Sequence, residues 1–244
     1  MRYFKYFPRT FYKFGNETTE DAIENISIYS DVIDQVKDAT TAYQDYYIQN
    51  NERPDQVSMR LYDKAEYHWT FFLMNEKLRE SGWPLAPGDV FNKAKRVYSS
   101  TVITTKTFPI STTFKINQTL NGLGSGATAQ VKHRELDLGQ IWIKNATGTF
   151  VAGETVTSVN TLTGATESLV IDSVAPQYNA AHHYENADKE YVDINPGIGP
   201  GSSITKITWL EFLNGRNEEL RQIRVIEPGS INQLVEAFRE AVSI

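Results

Sequence analysis

The chain opens on alternation, with Tyr3, Lys5 and Phe7 on one side of an extended backbone and Phe4 and Tyr6 on the other. A period of two predicts a strand, and aromatic residues on both sides predict contacts on both. Gly15-Asn16-Glu17-Thr18-Thr19 then reads as a turn. Over residues 22–37 the apolar positions Ile23, Ile26, Ile28, Val32, Ile33 and Val36 follow no clean period, and helix and strand stay open. A Tyr-rich strand is expected over 43–48, followed by a polar turn over 49–52. Pro54 suits a first helical position, Asp55 lies near the positive end of the helix dipole, and Val57 and Leu61 share a face. A second helix is expected over 65–75, with Trp69, Phe72 and Leu73 on one stripe and Gly82-Trp83-Pro84 as its stop. Residues 85–98 read as an extended segment carrying Lys93, Lys95 and Arg96.

From Thr101 the pattern changes to Thr, Ser, Gly and β-branched residues with few helix formers, and this continues to about Ala175. The stretch holds a degenerate repeat. Phe114, Gln118-Thr119 and Gly126-Ala127-Thr128 are echoed by Phe150, Glu154-Thr155 and Gly164-Ala165-Thr166, spaced 36 residues at the Phe and 38 at the Gly. Two such copies can pair into a small sandwich or barrel, each closing the sheet edge the other leaves open. Residues 176–203, rich in Pro and Gly, read as a polar connector without a regular element except near Tyr191-Val192-Asp193-Ile194. Helical spacing returns over 208–219 with Trp209, Phe212 and Leu213 on one face, residues 220–226 alternate as a strand, and Pro228-Gly229 breaks it. Ser230 and Gln233 form a capping box for a last helix whose Ile231, Leu234, Val235 and Phe238 repeat at helical intervals. The fold class expected is therefore α+β, divided as 1–42, 43–98, an inserted all-β domain over 101–175, a connector over 176–203 and a C-terminal helix-strand-helix segment over 204–244.

Composition narrows the function classes. The 244 residues carry 30 acidic and 24 basic side chains, a net charge of −6 that offers no strong positive field to phosphates, so nucleic acid is not an expected partner. The absence of cysteine excludes disulfides, thiol catalysis and Cys-based zinc, and fits assembly in a reducing cytoplasm. No stretch has the apolar length of a membrane span or the uninterrupted apolar run of a signal peptide, so neither a membrane nor a cleaved leader is expected. With 13 Tyr and 12 Phe against 3 Met, large rigid side chains are available for half-buried strands and contact surfaces.

Candidate chemistry is sparse. Of four histidines none has metal-ligand spacing, and His182-His183 with Glu185 reads as a solvated loop; His68, beside Trp69, reads as a helix-surface or interface residue. Gly122-Leu123-Gly124-Ser125-Gly126 lacks the Lys-Ser/Thr of a phosphate loop and, lying between strands, reads as a turn. No catalytic residue, cofactor or metal is therefore expected. What stands out is the aromatic group Tyr62, Tyr67, Trp69, Phe71, Phe72 and Trp83, more than one small module normally hides. Part of it reads as core, the rest as a surface for another protein or a platform for sugar rings.

The string Glu52-Arg53-Pro54-Asp55-Gln56-Val57, followed by Leu61-Tyr62, Tyr67-His68-Trp69, Leu73-Met74-Asn75 and Trp83-Pro84-Leu85, resembles the LysM-like baseplate wedge proteins of T-even-type contractile-tailed bacteriophages. The opening Tyr3-Phe4-Lys5-Tyr6-Phe7-Pro8 and the closing block Arg221 to Pro228 extend the resemblance to about 1–98 and 178–244. It implies a LysM-like module over 43–98 between N- and C-terminal assembly segments, with the Thr/Gly-rich domain inserted. It further implies a non-enzymatic virion protein of the tail baseplate, made and assembled in the host bacterial cytoplasm. Such a subunit clamps wedge proteins together around the central hub in six copies, with hub or sheath-initiating proteins as further neighbours. The candidate partner-contacting side chains are Tyr3, Phe4, Tyr6, Phe7, Tyr67, Trp69, Trp83, Trp209, Phe212, Arg221, Arg224 and Phe238. The rival reading is a LysM-type carbohydrate module with Trp69 or Trp83 stacked on peptidoglycan sugar, although Asn51-Glu52-Arg53-Pro54 replaces the usual Gly-Asp-Thr turn. A muramidase using a carboxylate pair is a third.

Overall fold

The computed structural model describes residues 7–16, 18–25, 42–107 and 109–242. The opening strand expected over Tyr3, Phe4 and Tyr6, and most of 22–37, lie outside the described residues. In chain order the elements are β1 (Arg9–Tyr12), β2 (Asp21–Glu24), β3 (Tyr43–Tyr47), α1 (Pro54–Tyr62), a 3-10 turn (Ala65–His68), α2 (Trp69–Met74), α3 (Glu76–Ser81) and α4 (Pro87–Val97). There follow β4 (Thr101–Thr105), β5 (Thr119–Gly122), β6 (Thr128–Glu135), β7 (Gln140–Thr147), β8 (Thr155–Val159) and β9 (Thr166–Pro176). The chain ends with β10 (Ala181–Glu185), β11 (Thr205–Thr208), α5 (Trp209–Glu219), β12 (Gln222–Ile226) and α6 (Ile231–Val242). It divides into two compact units, one of residues 1–86 with 217–244, the other of residues 87–216.

In the first unit β3 pairs antiparallel with β12, Tyr43 opposite Ile226 and Tyr47 opposite Gln222. The strand that completes the sheet thus comes from the far end of the chain. Between these strands α1 begins as its sequence dictates: Pro54 occupies the first turn, Gln56 Oε1 accepts from the Arg53 amide at 3.1 Å, and Asp63 closes the helix at φ 55°. Val57, Phe71, Leu73, Leu78, Val225 and Ile226 are wholly or almost wholly buried and share one core with Tyr62, Trp69 and the apolar stripe of α6. Burial of each large apolar side chain contributes ~1.5–3 kcal/mol, so this cluster dominates the stability of the unit.

Side-chain amides finish what two strands leave open. Asn75 donates Nδ2 to Arg224 O at 2.7 Å and accepts the Arg224 amide on Oδ1 at 2.8 Å, mimicking a third strand beside β12. Asn217 does the same for Leu85, with its Oδ1 at 2.7 Å from the amide and its Nδ2 at 3.0 Å from the carbonyl. Leu85 and Asn217 bracket the 87–216 unit in sequence, so the chain's exit and return are tied together within the first unit.

The second unit is built on a closed six-stranded antiparallel barrel, in the order β4-β7-β6-β5-β8-β9 with β9 back on β4. The sequence repeat runs through it as β4-β5-β6 and β7-β8-β9. Repeat-equivalent strands meet at two seams: β5 on β8 with Asn121 opposite Thr157, and β4 on β7 with Ile103 opposite Ile141. Equivalent residues take equivalent roles. Phe114 and Phe150, Leu120 and Val156, and Val131 and Leu169 are all buried, and Gly126 and Gly164 both adopt the left-handed region at φ 67° and 71°.

Two expectations are corrected in this unit. Residues 87–97 form α4 rather than an extended segment: Pro87 starts it, Asp89 is in its first turn, Lys95 and Arg96 are in its last, and Val90 and Ala94 are buried one turn apart. Residues 181–185, expected to be irregular, form β10, which pairs antiparallel with β11 through a register shift between Ala181 and His183. Pairing with a distant strand overrode the local breakers.

Candidate functional site

The twelve residues expected to contact partners separate by burial. Phe7, Tyr67, Trp69, Arg221 and Phe238 are buried within the first unit. Phe238 meets Phe7 edge-on at 6.4 Å and Trp69 at 4.7 Å between ring centroids. Tyr67 donates its hydroxyl to Asn232 Oδ1 at 3.1 Å. Trp83 is half-buried between Phe71 and Phe72, with its indole N–H given to Glu52 O at 2.7 Å. Arg221 gives Nη1 to Ile48 O at 3.1 Å, Nη2 to Leu85 O at 3.3 Å and Nε to Glu218 at 3.0 Å. These contacts hold β3, the residue 85 turn and the approach to β12 together. Arg224 is exposed, its guanidinium 4.9 Å from the centre of the Tyr43 ring. Tyr3, Phe4 and Tyr6 lie outside the described residues.

Trp209 and Phe212 belong to a chain of rings in the second unit. Thr208 and Glu211 start α5 with a capping box, Glu211 accepting from the Thr208 amide at 2.7 Å and hydroxyl at 2.8 Å while its own amide donates to Thr208 at 3.2 Å. This presents Trp209 to Tyr98, Trp142 and His182, and stacks Phe212 on His182 at 4.0 Å. His183 stacks on Tyr191 at 3.9 Å and reaches Glu185 at 2.9 Å. The histidine pair is therefore part of a packed strand, correcting the solvated loop expected there. Nδ1 of His182 and Nδ1 of His183 lie 2.7 Å apart, within hydrogen-bond distance of each other. Burial, then the neighbouring His183, lowers the His182 pKa below the ordinary histidine value. Among the described residues no group of three or more His, Cys, Asp or Glu could hold a metal ion.

The Gly122–Gly126 turn does hold an anion, and that anion is internal. Glu154 Oε2 accepts from the amides of Gly124 at 3.1 Å and Ser125 at 2.8 Å, and Oε1 from the Ser125 hydroxyl at 3.0 Å and the Val151 amide at 2.6 Å. Desolvation works to raise the carboxyl pKa, but these donors outweigh it and bring it below the ordinary glutamate value. The repeat places Gln118 in the equivalent role, accepting from the Lys115 amide.

What the sequence reading missed is the exposed apolar surface. In β1 and β2 every residue is exposed on both faces, with Phe11 at 69%, while Phe7 just before them is buried in the first unit. Tyr43 and Tyr47 on β3 are also exposed.

Residues 2–100 match the base plate wedge protein 53 family. The match covers less than half of the chain, including the ribbon, β3 and the first four helices, and it supports a phage baseplate wedge protein with a structural role in the virion tail. A structural wedge family points to a non-enzymatic role and to interaction with other baseplate components. No curated protein matches the chain. Among the described residues no helix is long and apolar enough to cross a membrane.

Proposed function

We propose that the protein clamps baseplate wedge proteins together around the central hub, with the first unit as its assembly module. The observation that carries this reading is the β1–β2 ribbon. A lone two-stranded ribbon is marginal in water, and this one exposes Phe11, Tyr12 and Ile23 while rooted through buried Phe7. Such a ribbon gains stability when a partner covers it. The order β3-α1-α2-α3-β12, two antiparallel strands enclosing helices, supports a LysM-like description of the module. Its aromatics favour protein contacts over sugar: Trp83 has its N–H engaged and its ring packed between two phenylalanines, and Trp69 is buried.

The test is reconstitution with the remaining wedge proteins of the same phage. The intact chain is expected to co-assemble, and Phe11→Ser with Tyr12→Ser to abolish co-assembly while leaving its own thermal unfolding unchanged. A stable monomer that ignores every wedge protein overturns the proposal. Retention on purified peptidoglycan that is lost in Trp83→Ala would instead establish the carbohydrate reading.

A further inference from the structure

The antiparallel pair of β3 and β12 has two outer edges, and they are finished differently. Hydrogen bonds from Ile48 N to Arg221 O at 2.9 Å and from Glu227 N to Ala42 O at 3.1 Å fix the alternation along the ladder. Gln44 and Tyr46 therefore turn their backbone groups toward β12, and Tyr43, Asp45 and Tyr47 turn theirs away. On the β12 edge Asn75 occupies the outward amide and carbonyl of Arg224. The β3 edge has no such cover among the described residues. Of the amides and carbonyls of Tyr43, Asp45 and Tyr47, only Tyr47 O has a partner there, Gln49 Nε2 at 3.3 Å. The three side chains share one face and are exposed. The strand, Tyr-Gln-Asp-Tyr-Tyr, also lacks the Pro, Lys or bulge that blunts a sheet edge.

We propose that the outer edge of β3 receives an extended strand from another protein, with a Lys or Arg placed opposite Asp45. The backbone sets the extended form, because a strand in register exchanges both hydrogen bonds with Asp45 and adds others at Tyr43 and the Tyr47 amide. Charge sets the residue. Asp45 is in no ion pair among the described residues, and Arg224, across from it on β12, has its guanidinium 4.9 Å from the centre of the Tyr43 ring. A cation opposite Asp45 makes a favourable cross-strand pair, and the rings of Tyr43 and Tyr47 to either side suit β-branched neighbours. The same geometry works against a second copy of the chain. The antiparallel register that engages all three residues sets Asp45 against Asp45, and like charges directly opposite each other repel. This edge is separate from the β1–β2 ribbon, and the inference does not rest on that ribbon.

The full chain, labelled with nitrogen-15, is titrated with the blocked peptide Thr-Val-Thr-Lys-Thr-Val-Thr and with the same peptide carrying Glu in place of Lys. A third peptide is N-methylated at the Lys, so that it no longer donates to Asp45 O. In the free chain the Asp45 amide should exchange with solvent far faster than those of Gln44 and Tyr46. An Asp45 amide already protected overturns the proposal, and one that becomes protected as the chain is concentrated overturns it in favour of a second copy. The Lys peptide should give saturable shifts of the Tyr43, Asp45 and Tyr47 amide signals and lose binding on N-methylation. It should bind about threefold tighter than the Glu peptide, the scale of one exposed ion pair. Asp45→Pro should abolish binding and keep the β12 pairing, since the Asp45 N–H points away from β12. Should that variant fold poorly, Asp45→Lys should invert the preference between the two peptides. Phe11→Ser with Tyr12→Ser should leave the peptide affinity unchanged, so failure of the ribbon reading and failure of this one are told apart. No saturation by the Lys peptide, equal binding of its N-methylated form, equal affinity for Lys and Glu, or unchanged affinity in a folded Asp45→Pro variant overturns the proposal.

Discussion

The two units solve the same problem, the unpaired strand edge, by opposite means. The barrel removes edges by closure, β9 returning to β4 and each repeat completing the other's sheet. In the first unit, among the described residues, β3 and β12 form a two-stranded sheet that depends on helices for its core and on Asn75 to occupy the outer edge of β12. A closed barrel is satisfied by its own backbone. An open two-stranded sheet needs side chains placed from elsewhere, and some of its surface remains to be covered, as the exposed tyrosines of β3 record.

Tryptophans divide evenly between the units, Trp69 and Trp83 in one and Trp142 and Trp209 in the other, so fluorotryptophan signals read each separately. The largest effect is expected from Phe71→Ala, which opens a cavity in the first core and costs ~3–5 kcal/mol. Trp69 and Trp83 should then melt well below Trp142 and Trp209; simultaneous melting of all four would break the comparison. Arg221→Met removes a buried donor from Ile48 O and Leu85 O and should cost about 2–3 kcal/mol, again in the first unit. Equal loss in the barrel signals would show that the residue 85 crossing couples the two.

Acid should act on the second unit through His182 and Glu154. The folded pKa of His182 is lowered below its ordinary value of 6.5, so its contribution is present above that value and is lost as pH falls through the folded pKa. The charged and titratable groups around it are His183, Glu185, His133 and Glu135. The Trp209 signal should change as pH falls below the ordinary histidine value of 6.5, and His182→Gln should remove that step. The smallest effect is expected from Glu154→Gln, on the order of 1 kcal/mol because the site is largely open to solvent. Its lowered pKa stabilises the fold above the ordinary carboxyl value of 4.5, and the benefit is lost as pH falls through the folded value, so the variant should flatten the acid limb of barrel unfolding.

Legibility in the sequence followed locality. The starts of α1, α5 and α6 could be read because Pro54, the helical spacing of Trp209, Phe212 and Leu213 and the apolar stripe of the last helix act within one or two turns. The Thr208–Glu211 capping box was equally available and would have marked the start of α5. α4 reads as extended in the sequence because Val90 and Ala94, one turn apart, are its only buried residues, too short a stripe to set a helical period. Among candidate contact residues, type alone did not separate buried from exposed: Trp69 and Phe238 pack on each other, whereas Phe11 and Tyr12, no more apolar, are left outside.

By itself the sequence determined the mixture of helices and strands, the change of composition at Thr101 and the internal repeat, because propensity, periodicity and repetition are local properties of the chain. Only the tertiary structure decided that β3 finds its partner in β12, that the repeats close into a barrel, that Glu154 fills the glycine turn and that His182 and His183 meet through their Nδ1 atoms. Each of these joins groups far apart in sequence or depends on a side chain's burial, and contacts of that kind are chosen by packing and desolvation across the whole fold.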